Sequence, residues 1–435
     1  MHVNHRRIAS GALTVGLLVL AAKIVNAGRE VVIASRFGIS QTADAFNLAF
    51  TLTTWLPMMV VSIAISVLVP RLIALQSDQP KRLAFIRELN ATVAATAAIV
   101  LLLTLLAGPA LASWMAQGLD EATRLEAGRM TLMLAPLAFL TIVAGYLAVR
   151  LQARERFAYS ALEALPAGGL IALVLLLPPE LGPFALIVGT LLGGLLQMAL
   201  LARMTHRSDS PIGGLSFGHN AQDWKSVYAG LVAVALGQVA MGIMIPIDQA
   251  VAARLGDGTV ATLGYANRLI GSATSLGVVV IGRALLPILS SIAATRDRHL
   301  GQTQTLKWAW SCAILGAVAA GLGWLLAPML VKAIFEHGAF TPRDTGSVVL
   351  LMRAGLLQIP FFFGGMVILQ WLAANHEFQA ILVISLIGAA AKLASLAVLS
   401  QTLGPQGIVF SNAVMYLTTL TLLALHLARM KRATS

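Results

Sequence analysis

Apolar residues fill long blocks along this chain, each closed by a short polar or turn-forming stretch. Reading those blocks predicts twelve helices, over 9–37, 44–76, 88–117, 126–150, 159–178, 184–204, 224–255, 259–293, 305–334, 344–374, 378–402 and 405–428. Roughly 20 apolar residues cross a bilayer, so several of these segments must tilt, bend or project beyond the lipid. Pro57, Pro136, Pro246 and Pro360 fall inside predicted spans and are candidate kinks. Arg6 and Arg7 ahead of Gly11–Ala22 resemble the start of a signal peptide. The apolar pattern simply continues, so this segment is read as a retained first helix.

Composition supports the same class. Of 435 residues, 58% are hydrophobic and 11% charged, against about 25% charge in a soluble domain. This excludes an ordinary soluble enzyme. The net charge of +12 would suggest nucleic acid in a soluble protein, but in a membrane protein it mostly records topology. Cytoplasmic loops are enriched in Lys and Arg. With the twelve spans assigned, eighteen of these cations fall on the side of the N-terminus, and only Arg36, Arg124, Arg129, Arg254, Lys332 and Arg343 on the other. Both termini are therefore expected in the cytoplasm. The lone cysteine, Cys312, excludes an intrachain disulfide and should pack as a small hydrophobe.

A repeat organises the spans. Ala34-Ser35-Arg36-Phe37-Gly38 returns as Ala252-Ala253-Arg254-Leu255-Gly256, and Leu68-Val69-Pro70 returns as Leu285-Leu286-Pro287. Both matches imply an offset of about 218 residues, half the chain. A duplicated unit with an even number of spans faces the same way in both copies. The expected architecture is an all-α polytopic membrane protein, with two parallel six-helix bundles around a central cavity. The halves would be residues 1–204 and 223–435, joined by a polar cytoplasmic linker at 205–222.

An ionisable residue at the bilayer centre costs about 2.5–3.5 kcal/mol on the insertion scale, so it normally faces a wet or protein-lined interior. Six cations lie inside predicted spans: Lys23, Arg29, Arg268, Arg283, Arg353 and Lys392. The acids at comparable depth are Glu30, Asp248 and Glu163, with Asp44 near the outer end of the second span. The positive excess points to a cavity that receives an anion. Plainer roles compete at each position. Arg29 can pair with Glu30 or Asp44, Arg283 can snorkel to headgroups, and Arg353 and Lys392 can be structural. Lys23 and Arg29 lie about 240° apart on a helix, so they share a face only if it distorts near Asn26-Ala27-Gly28. Glu30 and Asp248 are equivalent in the repeat, as latches or as sites for H⁺ or Na⁺. No P-loop and no metal-binding motif is present, and neither a catalytic site nor a bound cofactor is expected. Gly189 and Gly193 have the small-residue spacing of close helix packing. Trp114 and Trp371, near span ends, read as interfacial aromatics.

The stretch Arg29-Glu30-Val31-Val32-Ile33-Ala34-Ser35-Arg36-Phe37-Gly38, followed by Thr42-Ala43-Asp44-Ala45-Phe46, resembles the first-loop signature of the MviN/MurJ family of lipid II flippases. Gly264-Tyr265-Ala266-Asn267-Arg268-Leu269, Leu285-Leu286-Pro287 and Phe335-Glu336-His337-Gly338-Ala339-Phe340-Thr341 resemble further family segments in the same order. The resemblance implies that an undecaprenyl-pyrophosphate-linked glycan moves from the cytoplasmic to the outer leaflet of the bacterial inner membrane. It implies pyrophosphate contacts for Lys23, Arg29 and Arg268, and a role for Asp44 near the outer gate. Lys23 stands where the family usually has arginine, Asn267 where it has aspartate, and further terminal spans are common in the family.

The sequence thus predicts a flippase for lipid II or a related lipid-linked oligosaccharide, working by alternating access. Its partners would be the lipid-linked anionic glycan, membrane lipid and envelope-synthesis proteins, but no nucleic acid. Membrane potential, H⁺ or Na⁺ would drive it. Rival readings are an exopolysaccharide-unit flippase, a cation-coupled drug exporter with a more acidic and aromatic cavity, and a non-transporting scaffold for envelope synthesis.

Overall fold

The computed structural model describes the backbone of residues 5–209, 214–218, 221–294, 298–375 and 377–434. Side chains are described for these except at 5–17, 179, parts of 221–241, 276, 279–300 and 431–434. All regular structure among the described residues is helical. In order, the α-helices are α1 (His5–Phe37), α2 (Gln41–Ala74), α3 (Gln79–Met115), α4 (Glu121–Leu134), α5 (Pro136–Ala153), α6 (Leu165–Leu176), α7 (Gly182–Ser208) and α8 (Ala221–Gly242). They continue as α9 (Met244–Arg254), α10 (Thr259–Ala294), α11 (Arg298–Phe335), α12 (Pro342–Leu356), α13 (Gln358–Ala374), α14 (Phe378–Leu403) and α15 (Pro405–Thr434). A 3-10 segment, Phe157–Ala164, leads into α6.

These helices fall on the twelve predicted spans, three of which are broken in two. The breaks lie at Ala135 before Pro136, at Ile243 before Pro246 and at Leu357 before Pro360. Proline removes one backbone donor and crowds the preceding turn, which ends or bends a helix there. Pro57 is the exception, because α2 runs through it. Among the described residues, nine segments are long and apolar enough to cross a membrane. The other predicted spans, 9–37, 224–255 and 259–293, coincide with α1, α8–α9 and α10.

Local chemistry sets the helix starts. Ser40 Oγ accepts from Ala43 N, Asp78 from Lys81 N, and Asp120 from Thr123 N. Each occupies an N-cap, where a side-chain oxygen satisfies a donor that the helix cannot. Helix ends show the repeat. Gly38 after α1 and Gly256 after α9 both adopt positive φ, at 58° and 112°. Glycine holds that conformation without steric cost, so the matched Ala-x-Arg-x-Gly segments terminate helices in both halves.

The chain forms two compact units, Met1–Ala250 and Val251–Ser435, which divide within α9. In the first, α2 packs on α4, α5 and α8, and α6 packs on α7. One of its cores joins Leu68 and Leu72 of α2, Phe85 and Leu89 of α3, Tyr146 and Val149 of α5, and Trp224 and Val227 of α8. Residues of the predicted 205–222 linker belong to this unit. Ser216 N bonds Arg87 O at 3.1 Å, and Asn90 Nδ2 bonds Gly214 O at 3.3 Å. In the second unit, α11 and α15 pack on α13, and α14 packs on α15. Leu106, Leu176, Trp310 and Met329 stand exposed on spans, as lipid-facing residues must. Trp114 is also exposed, whereas Trp371 and Cys312 are buried, the latter as a free thiol.

Candidate functional site

The predicted intramembrane charges separate into exposed and buried groups. α1 is continuous from His5 to Phe37, so Lys23 and Arg29 keep their angular separation. Lys23 is exposed and acts electrostatically on Glu163, carried by the 3-10 segment that packs against α1. Arg29 is buried. Its Nε donates to Glu30 Oε1 at 3.1 Å and its Nη2 to the same oxygen, and its guanidinium lies 4.6 Å from the Phe50 ring centroid. The paired reading of Arg29 thus has a defined geometry, with Glu30 buried beside it.

Asp44 is fully buried in the first turn of α2, where the helix dipole favours a carboxylate. Asp248 is buried in α9, and like Glu30 it lies a few residues before a helix end closed by a positive-φ glycine. Of these three acids, Glu30 is paired with Arg29.

In the second unit Arg268 is exposed on α10, along with its neighbour Asn267. Tyr265, one turn earlier, is buried against Phe335 and Phe340, with ring centroids at 5.2 and 5.6 Å. The two segments Gly264–Leu269 and Phe335–Thr341 therefore meet in an aromatic corner. Gly338 turns the chain at φ 61°, and Thr341 opens α12 with a capping box to Asp344. That corner fixes the face of α10 on which Arg268 stands.

Arg353 is half-buried on α12, donating to the Trp324 carbonyl and lying over the Trp324 ring. Lys392 is buried on α14, one turn after Gly388, where α14 meets Thr419 of α15. Arg283 belongs to α10, and its side chain lies outside the described residues.

One further cluster is built from arginines that in the sequence read as cytoplasmic loop charges. Asp209, after α7, accepts from Arg150 Nε at 2.9 Å, from Arg154 Nε at 2.8 Å and from Arg82 Nη2. Arg150 and Arg154 lie four apart at the end of α5, on one face. Burial pushes the Asp209 carboxyl up, but the bonds from Arg154, Arg82 and Arg150 prevail and hold it below its ordinary value of 3.8. The i,i+4 spacing of Arg150 and Arg154 is visible in the sequence, whereas their partner lies more than fifty residues away.

Long apolar helices in two units, nine of the described segments being long and apolar enough to cross a membrane, define a polytopic helical transporter. Its fold is that of solved transporters. A structure described as lipid II flippase MurJ, inward closed conformation, superposes with a TM-score of 0.79 at 16% identity, covering 97% of this chain and 92% of that one. An inward-facing multidrug resistance MATE family transporter of the MOP superfamily matches at 0.74 and 15% identity, covering 95% of each chain. Residues 33–435 match the family described as lipid II flippase MurJ, and the chain belongs to that family. The lipid II flippase MurJ of Burkholderia cenocepacia is 28% identical over 363 residues, covering 79% of this chain and 68% of that protein.

Proposed function

We propose that this chain is a flippase that moves an undecaprenyl-pyrophosphate-linked glycan precursor, lipid II or a close relative, to the outer leaflet by alternating access. Family membership over residues 33–435 carries this reading. The charges give it a physical basis. Lys23 in the first unit and Arg268 in the second are exposed on helices that coincide with predicted spans, and an exposed cation within a span is costly unless it serves a wet path or an anion. Each offers charge-assisted bonds to a pyrophosphate during its passage. The prenyl tail remains in lipid. An inside-negative potential favours outward movement of an anion by roughly 2.3 kcal/mol per charge per 100 mV; H⁺ or Na⁺ coupling is a further source of drive.

In this reading the protein lies in the bacterial inner membrane with both termini in the cytoplasm, as the distribution of Lys and Arg supports. Arg29 and Glu30 act as a latch, with Asp44 and Asp248 as buried gating acids. The work is transport, with no covalent step. Envelope-synthesis proteins are natural partners.

The test is complementation of a bacterium whose own lipid II flippase can be switched off. The wild-type chain should restore growth, while Lys23→Ala and Arg268→Ala insert normally and fail. Lack of rescue by a well-expressed wild-type chain would remove lipid II as cargo, and full rescue by both variants would remove the assigned cation roles.

A further inference from the structure

At one end of the first unit, three guanidiniums surround a single carboxylate among the described residues. Arg82 in the first turn of α3, Arg150 in the last turn of α5 and Arg154 just after it all bond to Asp209. The Arg82, Arg150 and Asp209 side chains are 0% exposed, and Arg154 is 24% exposed. The helix dipole favours Arg150 and Arg154 at the C-terminal end of α5, but Asp209 follows the C-terminus of α7 and Arg82 sits at the N-terminus of α3, each at the unfavourable end. Glu88 of α3 accepts from Trp224 Nε1 at 2.6 Å. Among the described side chains, these three guanidiniums share the Asp209 carboxylate, a costly arrangement at a buried site.

Arg82 sharpens the point. Its Nη2 reaches Asp209, while its buried Nε and Nη1 have no acceptor among the described residues. Buried donors are normally satisfied, and guanidinium forks match the oxygens of a phosphate. We propose that Arg82, Arg150 and Arg154 form a phosphate-group site around Asp209, reached past Arg154 and separate from Lys23 and Arg268. The ligand is a phosphate group, either on an anionic phospholipid head or free in solution. Basic pockets at the ends of membrane helices bind such headgroups. The inference rests on this geometry and stands or falls apart from the transport reading.

The test uses the purified full-length chain, stripped of lipid in detergent, and follows its thermal unfolding. One arm titrates cardiolipin against phosphatidylcholine; the other titrates inorganic phosphate against chloride at equal ionic strength. Saturable stabilisation is expected in at least one arm. Arg154→Gln, at the least buried of the three arginines, should weaken it roughly tenfold, the worth of one charge-assisted bond. Asp209→Asn removes the competing carboxylate and should tighten it. Gly168→Ala, at a position with open space and no charged role, should leave it unchanged. A response to cardiolipin alone assigns the ligand to a lipid head, and a response to phosphate assigns it to the free ion. No saturable response in either arm, or an equal response in wild type and Arg154→Gln, overturns the proposal.

Discussion

Arg353 completes a hydrogen bond that proline removes from α11. Its Nε donates to Trp324 O at 3.0 Å, and its guanidinium carbon lies 4.2 Å from the Trp324 ring centroid. Trp324 O would ordinarily accept from residue 328, but Pro328 has no N–H. A cation at membrane depth thus has a structural task on α11. Arg353→Ala should cost about 1–3 kcal/mol, the penalty for leaving a carbonyl on an apolar, membrane-spanning helix without a donor. Pro328→Ala in the same chain restores the donor and should recover much of the loss. Thermal unfolding of the two variants and the wild type in detergent decides this; equal losses in Arg353→Ala with and without Pro328→Ala would show that the carbonyl is not what Arg353 serves.

The α6–α7 interface makes a similarly local prediction. A Cβ on Gly193 would stand 2.2 Å from Leu165 O, and one on Gly189 would stand 2.7 Å from Gly169 O. Both obstacles are backbone and cannot swing aside. Gly193→Ala should therefore lower stability by at least about 1–3 kcal/mol through overpacking. Gly168→Ala is the matched control, since nothing lies within 4 Å of its Cβ. It should be neutral or slightly stabilising, as unfolding midpoints of the two variants will show.

Features carried by short stretches of sequence were legible. Pro136, Pro246 and Pro360 mark helix breaks because the missing donor acts within one turn, and Gly38 and Gly256 close helices in both repeats for an equally local reason. Gly189 and Gly193 announced close packing by their spacing. The pairing of Arg353 with Trp324 was not legible, because it needs two helices brought together 29 residues apart in sequence. Asp209 was still less visible, since its partners lie 55, 59 and 127 residues away. Counting Arg82, Arg150 and Arg154 as loop charges is sound for topology, yet it hides what they bind.

Asp209 also makes the stability depend on acid. Its carboxyl is held below the ordinary 3.8 in the fold, so the folded chain binds the proton less readily than the unfolded one. The stabilisation is fully present above about pH 4 and is lost as pH falls through the depressed folded value. The difference in unfolding midpoint between wild type and Asp209→Asn should be constant from pH 7 to about pH 5 and shrink below about pH 4. At neutral pH, Asn in place of Asp leaves buried arginines without their counter-charge, a loss of roughly 3–5 kcal/mol. A difference that grows on acidification would contradict the ion-paired assignment.

Arg29 and Lys23 separate fold from transport on a single helix. Arg29 is buried against Glu30 and Phe50, whereas Lys23 is exposed. Glu30→Gln alone should destabilise the protein by roughly 3–5 kcal/mol, because it leaves a buried guanidinium uncompensated. Removing both charges with Arg29→Met and Glu30→Gln should cost much less than the sum of the single changes, a coupling that a double-mutant cycle reads directly. Lys23→Ala should leave the unfolding midpoint within about 0.5 kcal/mol of wild type, as is usual for an exposed position, while complementation is lost. If Arg29 were instead held in place only to meet the pyrophosphate, the cycle would show no coupling, and Arg29→Met would lose transport at full stability as Lys23→Ala does.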